Sequence, residues 1–135
     1  MRRLLAPVCL PLLAVALTAC GSTVSTSSFK GEQHEVAQTI ANLQADATAG
    51  EDKKICANDL AKSLVARLGG SKGCESAIKN QLAEVDSMEL KVQSIKLAPG
   101  AGASAQVKGI YEGKTRPGTL SLVKEGGRWR ISSLG

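Results

Sequence analysis

From Glu32 to Ala49 the apolar residues Val36, Ile40, Leu43 and Ala47 recur at spacings of four, three and four. That rhythm lines them along one face of a helix, which Gly50 ends. Residues 51–69 continue helically in two short pieces, with Ile55 and Cys56 in the first and Leu60, Leu64, Val65 and Leu68 in the second. Asn58 or Asp59 is the expected cap of the second piece, because either side chain can accept from free backbone N–H groups. Gly69-Gly70 stops it, Ser71-Lys72-Gly73 reads as loop, and Cys74 opens another helix through about Glu84, with Ile78 and Leu82 four apart and Val85 one turn on.

After Asp86 the period changes from helical to alternating. Met88, Leu90 and Val92 alternate with Glu89 and Lys91, and Ile95 and Leu97 continue the pattern one step out of phase, which predicts a bulge near Ser94. Pro99-Gly100-Ala101-Gly102 is a turn. Ala103, Ala105, Val107, Gly109 and Tyr111 share one face of the next strand, with Gln106 and Lys108 on the other. Glu112-Gly113-Lys114 and Arg116-Pro117-Gly118 punctuate, and Leu120 and Leu122 begin a third strand that ends near Lys124. Glu125-Gly126-Gly127 is a hairpin turn, and Trp129 and Ile131 alternate with Arg128 and Arg130 in a fourth strand. Four neighbouring strands after a helical half predict an α+β domain, an antiparallel four-stranded meander with the helices on one face.

Ahead of this domain lies a different kind of sequence. Met1-Arg2-Arg3 is a positive start, and Leu4 to Leu17 is an apolar stretch broken by Pro7 and Pro11, too short and too kinked for a permanent membrane span. Leu17-Thr18-Ala19-Cys20 then reads as a lipobox, in which the Cys20 thiol is acylated and the chain is cut before it. An ordinary secretory signal, cut at an Ala-x-Ala-like site, is the alternative. The expected organisation is a signal peptide over 1–19, lipidated Cys20 with a Ser/Thr-rich tether over 20–30, and one domain over 31–135. Two or three acyl chains hold a protein durably to a bilayer. The expected location is the extracytoplasmic face of a cell membrane.

Cleavage changes both charge and cysteine count. Of the 135 residues, 116 remain, and the formal charge of +5 falls to +3 with the loss of Arg2 and Arg3. So mild an excess is no nucleic-acid footprint. It suits loose contact with anionic headgroups or wall polymers, or simply a solvated surface. Cys9 leaves with the signal and Cys20 carries lipid, so Cys56 and Cys74 remain as a pair. In an exported chain such a pair is most simply a disulfide. The other reading, a metal site, would have only His34 to join the two thiols, short of a tetrahedral set.

The lipobox, a long first helix, one Cys after it and another opening a later helix, and the closing Leu120-Ser-Leu-Val-Lys-Glu-Gly-Gly-Arg-Trp-Arg-Ile131 resemble small lipoproteins of high-GC Gram-positive bacteria with the nuclear transport factor 2-like fold. The resemblance covers residues 31–135. It implies a curved sheet wrapped round the first helix as a cone with a pocket at its open end. The pocket or core face would draw on Val36, Ile40 and Leu43 from the helix and Tyr111, Leu120, Leu122, Trp129 and Ile131 from the sheet. With only four strands, the cone is expected to be filled by side chains or to lack the pocket.

Catalytic relatives with this fold hold an Asp, His or Tyr inside the cone, and the sequence shows no equivalent constellation. His34 stands alone and reads as a surface residue. Tyr111 is the best candidate for a polar group in a pocket, and Trp129 for a ligand-stacking wall, although each also reads as a packing residue. Gly100-Ala-Gly102 joins two strands, so it cannot cradle a phosphate. Glu84 and Asp86 come with neither a base nor a metal. Lys114, Arg116, Lys124, Arg128 and Arg130 are expected to gather at one end of the sheet. The sequence therefore predicts no catalytic residue, no cofactor and no metal. It predicts a membrane-anchored binding domain for an apolar small molecule or an envelope protein, with a cell-envelope enzyme using Tyr111 as the runner-up.

Overall fold

The computed structural model describes residues 24–84, 88–111 and 113–135. Cys20 and the lipobox, Val85, Asp86, Glu112 and the side chains of Met88 and Tyr111 lie outside the described residues. Helix α1 spans Glu32–Thr48, a single turn α2 spans Asp52–Lys54, and a π-helical turn follows over Ile55–Asp59. Helices α3 (Lys62–Arg67) and α4 (Gly70–Ala83) complete the helical half. Strands β1 (Met88–Leu97), β2 (Gly102–Tyr111), β3 (Lys114–Glu125) and β4 (Arg128–Leu134) form one antiparallel sheet in the order β1-β2-β3-β4. This is the α+β meander that the alternating pattern predicts.

The predicted stripe of α1 is its buried face: Val36 and Ile40 are fully buried and Leu43 nearly so. They pack with Leu122, Ile131 and Ala105 of the sheet. Helix α1 also covers the open edge of β1. The Gln44 side-chain oxygen accepts from the Leu90 N–H at 2.6 Å, and the Gln33 amide donates to the Ile95 carbonyl at 2.9 Å. An edge strand otherwise presents free N–H and C=O groups to any other strand. The opposite edge is covered too, by a parallel bridge from Leu60 to Ile131 and an Ala61 N–H bond to the Ile131 carbonyl at 2.8 Å.

Two bulges bend the sheet. In β1 the register slips between Val92 and Ser94, as the phase change predicts, and β4 slips against β3 beside Ser121 and Leu122. A bulge adds a residue to one strand and so increases local twist and bend. The second leaves Ser132 without a partner in the register, and its carbonyl accepts from the Arg67 guanidinium at 2.6 Å. Glu125 and Arg128 pair across a two-residue turn in which Gly126 and Gly127 have φ of 56° and 79°. Positive φ at both central positions is the hairpin geometry that matches strand twist, and glycine adopts it without strain.

Four expectations are corrected. Asn58 and Asp59 do not cap α3: Ala61 is the N-cap, and the Glu125 carboxylate reaches across from the β3–β4 hairpin to accept from the Lys62 N–H at 3.1 Å. Ser71-Lys72-Gly73 is the first turn of α4, not loop. It can lie there because Gly73 has no side chain; a Cβ at that position would stand 2.3 Å from the Leu68 carbonyl oxygen. Arg116-Pro117-Gly118 does not interrupt but lies inside β3, paired with β2 from Lys114 onward. On its other side β3 pairs with β4 only from Leu120, so the missing proline N–H leaves no ladder bond unmade. Finally, ordered packing begins upstream of Gly31: Val24 is buried, and the Thr26 carbonyl accepts from the Phe29 N–H and lies 3.1 Å from His34 Nδ1.

Cys56 and Cys74 form the expected disulfide, with Cα atoms 6.1 Å apart. It joins the π-helical turn to α4. An 18-residue separation stabilises the fold by about 3 kcal/mol through the unfolded chain, in the loop-entropy account.

Candidate functional site

The sheet and the helices part at one end. Between the C-terminal half of α1, helices α3 and α4, and the concave sheet face lies a cavity of about 860 Å³. Leu43 and Ala47 come from α1, Leu64 and Leu68 from α3, and Leu90, Val107 and Leu120 from the sheet. Helix α4 contributes Ala77, Ile78, Gln81 and Leu82, whose spacing of one, three and one puts them on one face. Cys74 lies one turn before Ile78, so the disulfide fixes the lining face of this helix. The cavity exists because of side-chain size. Ala47, Ala77, Gly109, Gly118 and Ser133 stand at this end, whereas Ile40, Leu60, Leu122 and Ile131 fill the other.

Among the described residues no acidic side chain lines the cavity, but three basic ones do: Arg67, Lys114 and Arg116. Strand alternation explains the last two. Lys114 and Arg116 are in step with Gly118, Leu120 and Leu122, and so belong to the concave face. A large apolar hollow with a few polar groups at its margin is the usual form of a small-molecule site.

A second, smaller cavity of about 260 Å³ lies on the other flank of α1, between that helix, the π-helical turn and the start of β4. His34, Gln38, Asn58, Asp59, Arg128 and Trp129 are among its lining residues. Asp59 and Trp129 are buried, and neither Asp59 Oδ2 nor Trp129 Nε1 has a hydrogen-bond partner among the described residues. Burial, followed by the nearby Asp46 carboxylate, pushes the Asp59 carboxyl up to about 7, with Lys54 and Arg130 opposing. Lys54 is itself held by Asp46 at 2.7 Å, and that pairing raises its pKa. An acid that titrates near neutrality in a cavity wall is a candidate for chemistry. Its neighbour His34 is turned towards the Thr26 carbonyl.

The residues chosen from the sequence are placed in four ways, and Leu43 and Leu120 line the larger cavity. Val36, Ile40 and Leu122 are buried in the core at the filled end and line neither cavity. Trp129 lines the smaller cavity, with its ring beneath the Lys124 ammonium at 5.7 Å. The Tyr111 backbone pairs with Lys114 at the mouth end of the sheet, and its side chain lies outside the described residues. The basic residues do not gather. Lys124 is paired with Glu32 at 2.8 Å, and Arg130 donates to the Ala57 carbonyl at 2.8 Å. Of these five, Lys114 and Arg116 line the larger cavity. No group of three or more potential metal ligands occurs among the described residues, and none of their helices is long and apolar enough to cross a membrane.

No protein-family model and no curated relative matches the chain. Solved structures do. A calcium/calmodulin-dependent protein kinase II association domain from Xanthomonas campestris superposes with a TM-score of 0.59 at 16% identity, over 84% of this chain and 91% of that one. A chain named Rd1NTF2_05, carrying several substitutions, superposes with a TM-score of 0.57 at 16% identity, over 77% of this chain and 97% of that one. The fold is nuclear transport factor 2-like. At such identities the likeness extends to the architecture alone. In the terms of that fold, the larger cavity is the interior of the cone at its wide end, and the sheet is open rather than closed into a barrel.

Proposed function

We propose that this protein is an exported lipoprotein, held to the extracytoplasmic face of a membrane by acylated Cys20, whose cone binds an apolar small molecule without catalysing a reaction. The observation that carries the reading is the cavity of about 860 Å³ walled by leucine, isoleucine and alanine. Ligand pockets of roughly 300–1,000 Å³ enclose most of a drug-sized molecule. Excluding water from so much apolar surface is the driving force, at about 25 cal/mol per Å². The Cys56–Cys74 disulfide supports export, since such bonds persist in oxidising compartments.

Anchoring has a geometric consequence. Val24 is already packed, so only Gly21, Ser22 and Thr23 separate it from Cys20, a reach of no more than about 14 Å. The start of α1 therefore lies towards the bilayer. The mouth opens towards the other end of that 17-residue helix, which is about 25 Å long.

Native mass spectrometry of the Cys20→Ser chain, exported without its lipid, tests the binding reading. A non-covalent ligand that leaves on activation is the expected result. A clean apo mass that persists after exposure to an envelope lipid extract, with crosslinks to one envelope protein, would replace it with an interaction module. Membrane fractionation of the same variant tests the anchor separately, and continued membrane association would refute it.

A further inference from the structure

The cone's electrical asymmetry says more about its ligand than its volume does. We infer that the cone is selective for a single-chain acidic amphiphile, with the apolar chain among Leu43, Leu82, Leu90 and Leu120 and the anionic head group held by Arg67, Lys114 and Arg116. This rests on the binding function proposed above and names the class of molecule bound.

Concave positions of a strand are normally apolar, and β3 follows that rule at Leu120 and Leu122. At Lys114 and Arg116 it places two cations on the same face, where they line the cavity with Arg67. None of the three has an ion-pair partner among the described residues, although Lys54, Lys91 and Lys124 each have one. Among the described residues no acidic side chain lies in the wall to offset them, and the Gly135 main-chain carboxyl there accepts from the Thr119 N–H at 3.1 Å. Arg67 is not a loose surface group, because its bond to the Ser132 carbonyl at 2.6 Å fixes the guanidinium at the mouth. Its remaining N–H donors stay available, and a planar guanidinium suits carboxylate and phosphate oxygens. A hollow that is apolar within and cationic at its margin is complementary to a molecule that is apolar along its body and anionic at one end. A neutral hydrocarbon would leave these charges unused, and a cationic amphiphile would be repelled.

Isothermal titration of the Cys20→Ser chain with dodecanoate, dodecyl phosphate, dodecanol and dodecyltrimethylammonium tests this; the unlipidated chain keeps the protein's own acyl groups out of the assay. Both anions should bind about tenfold or more tighter than the alcohol, with the ammonium weakest. A tighter carboxylate marks a fatty-acid-type ligand, and a tighter phosphate marks a lysolipid-type one. In K114E/R116E, checked for folding by circular dichroism, the preference for the anions over dodecanol should vanish. The milder K114Q/R116Q should lose part of it. Equal affinity for anions and alcohol, or a preference that survives the double charge reversal, would overturn the inference and leave apolar binding standing. If none of the four binds, both readings fall.

Discussion

The two ends of the cone are built from the same helix and the same sheet, yet one is solid and the other hollow. At the end where α1 begins, Val36, Ile40, Leu122 and Ile131 meet with almost no exposure. At the other, Leu43, Leu64, Leu90 and Leu120 face one another across about 860 Å³ of space. Hydrophobicity does not distinguish the ends, since both are rich in leucine and isoleucine. What differs is how the helices are held and how large the facing residues are. α1 lies directly on the sheet and α3 is tied to β4, whereas α4 stands off the sheet, fastened through Cys74 to the π-helical turn instead of to a strand. Small residues such as Ala77 and Gly109 then fail to fill the gap. An apolar pattern specifies which face turns inward; it does not specify whether the interior closes.

The strongest way to break this contrast is to truncate the solid end. Ile40→Ala should cost about 3 kcal/mol or more in urea unfolding, because a fully buried site cannot collapse around the lost atoms. The same truncation at the hollow end, Leu82→Ala, should cost less than about 1.5 kcal/mol, since that side chain is only partly buried and already borders open space. Equal costs would mean that the cavity is closed in solution. Reduction of Cys56–Cys74, or the double alanine variant, should lower stability by about 3 kcal/mol. It should also weaken binding in the cone, because α4 loses its fastening. Stability lost with binding intact would detach the disulfide from the cavity.

A smaller effect concerns the flank. The Asp59 carboxyl is raised to about 7 in the folded protein, against 3.8 as the ordinary value, so the folded state holds its proton where the unfolded chain has released it. Stability is therefore expected to fall as pH rises from about 4 to about 7, and to stop falling above that. Asp59→Asn should flatten this slope and stabilise the protein at pH 7.5 by about 1 kcal/mol, measured by thermal unfolding across that range. A slope unchanged in the variant would assign the pH dependence to other groups. Smallest of all in stability, Ala77→Leu should shift unfolding by less than about 1 kcal/mol while occupying the hollow and weakening ligand binding.

Much of the fold is legible in the sequence because its signals are local. The spacing of Val36, Ile40 and Leu43 marks a helix, the phase slip after Val92 marks a bulge, and Gly126-Gly127 marks a tight hairpin. The even cysteine pair marks the bridge. What escapes is decided by residues far apart. The cap of α3 comes from Glu125, 63 positions away, so the Asn and Asp nearest its start were misleading. Pro117 reads as a break, and only the absence of β4 beside that part of β3 makes it harmless.

The site was harder to read than the fold for the same reason. Val36, Ile40 and Leu122 are inward, but inward positions in the first half of α1 are filled, and the space begins one turn further along, at Leu43. Lys114 and Arg116 looked like part of a surface cluster with Lys124, Arg128 and Arg130. Counted from Leu120 in steps of two, they fall on the inner face, and that parity was the available signal. Asp59 carried no signal of its own, because its burial depends on the π-helical turn folding under β4.

The contrast between the two ends is tested most directly by methyl NMR of the Cys20→Ser chain titrated with dodecanoate. The methyl groups of Ile78, Leu82 and Leu120 should shift progressively and saturate together, while those of Val36, Ile40 and Ile131 stay in place. Shifts centred on Val36, Ile40 and Ile131, or no saturable shift at all, would contradict a solid end and a hollow, ligand-binding one.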